Sequence, residues 1–247
     1  MMLNPERFRE VLQEAQLLTY FPEDSLPSLV SFTQKMLELN QNLNLTKWSS
    51  EEEVLTFHLL DSAHCLPVFQ TLFHDKTLNE SRWLDLGTGC GFPGAILAAV
   101  FSHSEITFLD SVVKKIKALE ECVKVAGWSS SLLAERAETL GKNPMTRESW
   151  NGVTARAVSN FRVVLEYAMP LLVTGGYLLN WMTQDQLFIL DNSQKALTEL
   201  KAKIVNKRVY KLPHTKNSRW IIIVEKMGST PESYPRPVGK ALKSPLI

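Results

Sequence analysis

Over the first seventy-odd residues, apolar positions recur every three or four residues, the spacing of one helix face. Leu12, Ala15 and Leu18 form such a stripe behind Asn4-Pro5, a capping side chain followed by the residue whose missing amide costs least in a first turn. Leu29, Phe32, Met36 and Leu39 form a second stripe. A third helical segment opens at Ser50-Glu51-Glu52-Glu53 and runs on through Val54, Leu55 and Leu59. There the serine and the glutamate three residues later make a capping box, and the acids suit the positive end of a helix. Residues 74–81 are polar and turn-rich, so a helical N-terminal region is placed at residues 1–78.

From residue 82 the pattern becomes short apolar runs alternating with helical stretches. Trp83-Leu84-Asp85-Leu86 ends in a carboxylate and glycines, 95–101 is helical, and 105–110 is a second run closed by Asp110. Further strands are predicted at 131–134, 152–156 and 177–181 with helices between them, the order that builds a parallel sheet covered on both faces. Residues 203–212 and 219–226 are separated only by the loop 213–218, too short for a crossover helix, so that pair is predicted antiparallel. The expected fold is α/β, a Rossmann-like, mostly parallel sheet at residues 79–227 finished by a C-terminal antiparallel hairpin. The basic tail 228–247, with Pro231, Pro235, Pro237 and Pro245, is expected to lie extended over the surface.

Composition narrows the class. With 247 residues, 45% hydrophobic and 21% charged, the chain has room for one α/β domain with a small appendage. Its longest apolar runs, 94–101 and 220–224, are too short to span a bilayer, and the N-terminus shows no basic segment followed by an apolar one. Cys65, Cys90 and Cys122 are odd in number and far apart, which suits a reducing cytoplasm and offers no zinc pair, so no metal is expected. The net charge of +1 hides an asymmetry: residues 1–75 hold four basic against eleven acidic residues, and residues 195–247 hold twelve basic against three acidic. Either the basic third meets a polyanion, or these are solvated faces of strands and helices.

The chemistry concentrates in Asp85-Leu-Gly-Thr-Gly-Cys-Gly-Phe-Pro-Gly94, where Gly89 to Gly94 is a literal GxGxxG between a predicted strand and helix. Glycines let the chain turn tightly and let a ligand come against bare amides. Asp85, two residues before the first glycine, would repel a pyrophosphate but suit an ammonium group. Asp110 is placed to accept hydrogen bonds from ribose hydroxyls. Together with the terminal hairpin, Asp85 favours S-adenosylmethionine over a dinucleotide and a class I methyltransferase architecture over a dehydrogenase. Arg156, closing the fourth strand, should face the crevice where open α/β sheets bind ligands.

Residues 83–94, with Leu109-Asp-Ser111 and Lys114-Lys115, resemble the RsmG family (glucose-inhibited division protein B), the guanine-N7 methyltransferases of small-subunit rRNA. Similarity continues in order through Asn44-Leu-Thr46, His58-Leu-Leu-Asp-Ser62, Arg136-Ala-Glu138, Arg156-Ala157, Gly175-Gly176, Arg219-Trp-Ile-Ile-Ile-Val224 and Tyr234-Pro-Arg236, covering roughly residues 35–245. The resemblance implies S-adenosylmethionine as cofactor and 16S rRNA or the small ribosomal subunit as partner. It implies that Gly87 and Phe92 line the cofactor, that Ala137 and Glu138 hold the adenine edge, and that Arg156 closes the methionine side; Gly89, opening the GxGxxG, is a cofactor candidate from the turn itself. The chain departs from the family pattern at Phe57, usually basic, and at Trp181-Met182-Thr183, usually Leu-Lys-Gly.

Methylation at N7 needs no proton removed from the nucleophile, so positioning and electrostatics should carry catalysis, and no general base is expected. Ala155-Arg-Ala-Val158 fits this, being neither the Asn/Asp-Pro-Pro-aromatic segment of amine methylation nor a Pro-Cys nucleophile. His58 reads either as a base or as a packed, hydrogen-bonded histidine, and Cys90 as structural. Lys114, Lys115 and Lys117 read either as phosphate contacts or as the wet face of a helix. Two other classes stay open: a methyltransferase for a small molecule or protein, and a non-catalytic binder of S-adenosylmethionine.

Overall fold

In the computed structural model, residues 3–48, 50–72 and 80–247 are described. Seven strands form one sheet in the order β3-β2-β1-β4-β5-β7-β6. They are β1 (Arg82–Leu86), β2 (Glu105–Asp110), β3 (Ser131–Ala134), β4 (Trp150–Arg156), β5 (Leu172–Thr183), β6 (Ala202–Tyr210) and β7 (Arg219–Lys226). The first five are parallel, and β7 runs antiparallel between β5 and β6, so the expected hairpin is present. Strand order reverses between β1 and β4, the place where open α/β sheets leave a crevice at their carboxyl edge.

Twelve α-helices are described: α1 (Pro5–Glu14), α2 (Ser25–Leu43), α3 (Glu51–Val54), α4 (Asp61–Ala63), α5 (Leu66–Leu72), α6 (Gly94–Val100), α7 (Val113–Ala126), α8 (Ala137–Lys142), α9 (Phe161–Ala168), α10 (Phe188–Asp191), α11 (Gln194–Glu199) and α12 (Lys240–Lys243). The Asn4 side chain caps α1 by accepting from the Glu6 amide, and Ser50 and Glu53 form both halves of the capping box on α3. The third helical segment of the sequence is not uniform: between α3 and α4, residues Leu55–Leu60 form a π-helical turn. Such widened turns often mark functional sites, and this one carries His58 towards the crevice.

The sheet separates two apolar cores. One packs the N-terminal helices with α6 and α7 against one face, and the other packs α8 to α11 and the C-terminal segment against the opposite face. Phe32 of α2 meets Phe92 edge-on at 6.0 Å and stacks on Trp128 at 5.0 Å, so the helical region completes the core of the sheet. The expected boundary at 78/79 lies outside the described residues, which omit 73–79.

The C-terminal tail is more than an extended covering. It ends in α12, whose Ala241 is buried, and Leu246 beyond it is also buried. Arg236 donates to Glu166 from three nitrogens, at 2.6 to 3.1 Å, and Glu166 is almost fully buried. Of the twelve basic residues of the C-terminal third, Arg236 is therefore not free to meet a polyanion: its guanidinium is spent on anchoring the tail.

Lys226 is fully buried at the end of β7 and donates to Glu148 Oε1 (2.7 Å) and to the carbonyls of Met169 (2.8 Å) and Leu172 (2.6 Å). Removing the ammonium takes a donor from both carbonyls and leaves Glu148 without its buried partner. Lys226→Ala should cost about 3 kcal/mol in urea unfolding. A loss under about 0.5 kcal/mol, the level of an ordinary surface change, would contradict this.

Candidate active site

The carboxyl ends of β1, β2 and β4 bring the glycine turn, Asp110 and Arg156 to one edge of the sheet. Gly87, Gly89 and Gly91 have φ of 64°, 59° and 98°, left-handed values that favour glycine. A Cβ on Gly87 would stand 2.9 Å from Val158 Cγ2. The Thr88 amide donates to the Leu109 carbonyl (2.9 Å) and the Gly89 amide to Asp110 Oδ2 (3.1 Å), so β2 holds the turn.

Asp85 stands where the sequence put it, but it does not reach the crevice. It is buried behind the turn, and Oδ2 accepts from Thr88 Oγ1 (2.6 Å) and the Gly94 amide (3.1 Å). Oδ1 accepts from Thr154 Oγ1 (2.8 Å). Burial raises its pKa, and these three donors oppose the shift. In this arrangement the carboxylate fastens the glycine turn to β4 and α6, a different task from the ligand contact expected of it.

Two cavities meet at Gly87. One, of about 170 Å³, is lined by Asp110, Ala137, Glu138, Tyr167 and Leu242 as well as Gly87. The other, of about 390 Å³, holds Gly89, Phe92, His58, Lys115 and Arg156. The sequence-selected residues other than Asp85 thus divide between two adjoining spaces. A further cavity of about 410 Å³, between α1 and the loop joining β6 to β7, holds none of them. Lys115 turns towards Asp110 at 3.5 Å and lines the larger of the two adjoining cavities, whereas Lys114 and Lys117 are exposed. Glu138 is buried at the start of α8, where Oε1 accepts from the Gly239 amide (3.0 Å) and from Arg136 (3.3 Å). Burial pushes its pKa up, but these donors outweigh it and the net shift is downward.

Arg156 is held from three sides. Nη1 donates to Asp61 Oδ2 (3.0 Å) and to the Phe57 carbonyl, and Nη2 donates to His58 Nδ1 (3.0 Å). Because Nδ1 accepts, the His58 proton sits on Nε2, which donates to Thr46 Oγ1 (2.8 Å). Burial, reinforced by the Arg156 charge, lowers the His58 pKa to about 3. The ring stacks on Phe92 at 5.3 Å. Of the two readings of this histidine, the packed and hydrogen-bonded one matches the geometry. Cys90 is buried beside it, and burial raises its thiol pKa.

Sequence reasoning missed Asp61. Its carboxylate accepts from Arg156, lies 3.8 Å from Arg219 Nη1 and accepts from the Tyr210 hydroxyl (2.7 Å), while its carbonyl accepts from Trp181 Nε1 (2.8 Å). The one available signal was a carboxylate three residues after His58 in a helical segment. Both departures from the family pattern enter this cluster: Phe57 supplies a carbonyl to Arg156 and stacks on Trp48 at 4.2 Å, and Trp181 holds Asp61. Ala157, next to Arg156, has φ 58°, an uncommon value for a residue with a Cβ and of the kind concentrated at functional sites.

His64, stacked on Tyr210 at 4.0 Å, also has its pKa lowered, to about 4, by burial and by the Arg208 charge. Both histidines bind a proton in the unfolded chain near pH 6.5 and resist it when folded. Stability is therefore present above that pH and lost as pH falls from 6.5 towards 4, by about 1.4 kcal/mol per pH unit for each histidine. His64→Asn should flatten this slope in urea titrations at pH 6 to 4; an unchanged slope would show that His64 does not contribute.

Among the described residues, no group of His, Cys, Asp and Glu could hold a metal ion, and no helix is long and apolar enough to cross a membrane. Residues 25–218 match the family described as GidB, rRNA small subunit methyltransferase G. The chain belongs to this family. It is 32% identical over 245 residues to the ribosomal RNA small subunit methyltransferase G of Lactobacillus acidophilus, covering 99% of this chain and 100% of that one. It is 34% identical over 230 residues to the protein of that name from Prochlorococcus marinus, covering 91% and 90%. A solved structure assigned as a sarcosine dimethylglycine methyltransferase from Galdieria sulphuraria superposes with a TM-score of 0.53 at 13% identity, over 75% of this chain and 91% of that one. That likeness concerns the fold, the class I methyltransferase sheet with its C-terminal antiparallel pair.

Proposed function

We propose that this GidB-family chain transfers the methyl group of S-adenosylmethionine to N7 of a guanine in small-subunit (16S) rRNA. The family match supports the rRNA substrate, and a ribosomal substrate supports a cytoplasmic location. The residues present fit the cofactor. Gly87 leaves bare backbone on the lining of both cavities, where a Cβ would crowd Val158. Asp110 offers a carboxylate suited to vicinal hydroxyls, Ala137 and Glu138 wall the smaller cavity, and Gly89, Phe92 and Arg156 line the larger one. When bound, the cofactor supplies an electrophilic methyl group on a sulfonium.

The observation that carries the N7 assignment is the state of His58. Both ring nitrogens are engaged, one by Arg156 and one by Thr46, and the ring is neutral. A target whose proton must leave, an amine or a hydroxyl, needs an acceptor, and this histidine is locked out of that task. Guanine N7 already presents a lone pair. What the chain supplies is position and charge: Asp61, Phe57 and His58 hold the Arg156 guanidinium at the larger cavity, and Lys115 and Arg219 add positive charge at its wall. The test is transfer of labelled methyl to purified small subunits, large subunits and ribosomal protein. Label in small-subunit RNA is expected; label in protein, or in neither subunit, would contradict the reading.

The basic third supports an RNA substrate through residues other than those spent internally. Lys226 and Arg236 are committed to ion pairs, whereas Lys203, Lys207, Lys240 and Lys243 are exposed. Replacing Lys203 and Lys207, on β6 and away from both cavities, with glutamine should weaken rRNA binding and lower the slope of log affinity against log salt by about one to two, with cofactor affinity unchanged, and replacing Lys240 and Lys243 should lower the slope likewise. An unaltered slope would show that these lysines serve solubility alone.

A further inference from the structure

We propose that the C-terminal segment is part of the cofactor site, with Leu242 forming the outer wall of the purine pocket and the Tyr167 hydroxyl meeting a polar atom of the purine. This rests on the placement of the adenosine moiety in the smaller cavity, beside Asp110 and Ala137-Glu138.

The segment is fixed far more firmly than a covering tail needs. Arg147 donates to the carbonyls of Thr230 (2.6 Å), Pro231 (3.2 Å) and Tyr234 (2.8 Å), and Lys142 donates to that of Glu232 (2.6 Å). Arg236 is clamped on buried Glu166, and the Tyr234 hydroxyl donates to Glu199. The last tie is to the pocket itself: the Gly239 amide donates to Glu138 Oε1, fixing the entry to α12 on a residue that walls the cavity. Ala241 and Leu246 then plug the apolar core on either side of Leu242. Between these anchors Leu242 lines the cavity with 51% of its surface still exposed. An apolar side chain held this rigidly at a pocket mouth is completed by a flat apolar ligand surface such as a purine face.

Tyr167 points the same way independently. The residue lines the same cavity, and its hydroxyl is buried beside the Glu138 carboxylate without a hydrogen bond of ordinary geometry to it or to any other described residue. Burial and the neighbouring Glu138 carboxylate push its pKa up to about 12, so the group stays a neutral phenol, able to donate to a ring nitrogen or accept from an exocyclic amine. A buried hydroxyl short of a well-formed hydrogen bond is costly, and a bound purine removes that cost.

The test is calorimetric titration of the full chain with S-adenosylhomocysteine, beside thermal melts without ligand. Leu242→Ser should bind about tenfold more weakly, because an apolar wall is lost, with the unliganded melt unchanged because Leu242 is half exposed. Tyr167→Phe should bind about three- to tenfold more weakly, yet melt at the same or a higher temperature without ligand. A hydroxyl serving the fold alone would instead lower the melt and leave binding intact. Wild-type affinity in Leu242→Ser overturns the wall, and wild-type affinity in Tyr167→Phe overturns the hydroxyl contact. Asp110→Ala separates the two levels of the argument: if it weakens binding while both other variants bind normally, the cofactor placement stands and the tail proposal falls. If Asp110→Ala also binds normally, the cofactor is not in this cavity and both fall.

Discussion

Arg156→Ala should lower the single-turnover methylation rate by at least about 100-fold, because it removes a positioned charge from the reacting cavity. His58→Ala should cost about tenfold or less, through lost packing on Phe92 and a lost hydrogen bond to Arg156. The order follows from the geometry: Arg156 presents the charge, and His58 is one of three groups that hold it. The pH profile follows too. With His58 titrating at about 3, the rate should show no limb near an ordinary histidine pKa between pH 6 and 8. Rapid-quench measurements on both variants decide the matter. A dominant effect at His58, with a rate rising through pH 6 to 7, would replace N7 by a target whose proton must leave.

Gly87→Val should abolish cofactor binding while leaving a folded protein. The valine Cβ would meet Val158 Cγ2 at 2.9 Å, adding bulk at a residue that lines both cavities. A β-branched residue at φ 64° is strained by about 1–2 kcal/mol, which a domain stable by about 5–15 kcal/mol can carry. Circular dichroism should therefore report a folded chain and calorimetry no binding. Near-normal affinity would remove Gly87 from the site.

Much of this architecture was legible in the sequence because it is locally encoded. The Asn4-Pro5 start, the Ser50–Glu53 box and the strands ending at Leu86, Asp110 and Arg156 each depend on residues a few positions apart. So did the glycine turn, whose left-handed residues only glycine fills easily. Asp85 shows the limit of that reading. Its position at a strand end was right, but spacing does not say whether a carboxylate faces a ligand or the back of its own turn, and Thr88, Thr154 and Gly94 claim it. Asp61 was missed because its partners arrive from β4, β5 and β6, about a hundred residues or more along the chain. The ties that fix the tail escaped for a similar reason: prolines signal an extended chain, but the Arg236–Glu166 clamp spans seventy residues and leaves no local trace.

The central claim is tested most directly by identifying the methylated nucleoside. Small subunits lacking the modification, incubated with the protein and S-adenosylmethionine, are digested to nucleosides and separated by mass spectrometry. The account predicts one new product, 7-methylguanosine, formed by the wild-type chain and by His58→Ala but not, within the same time, by Arg156→Ala. A methyl group on an exocyclic amine, on a ribose hydroxyl or on any base other than guanine would contradict it.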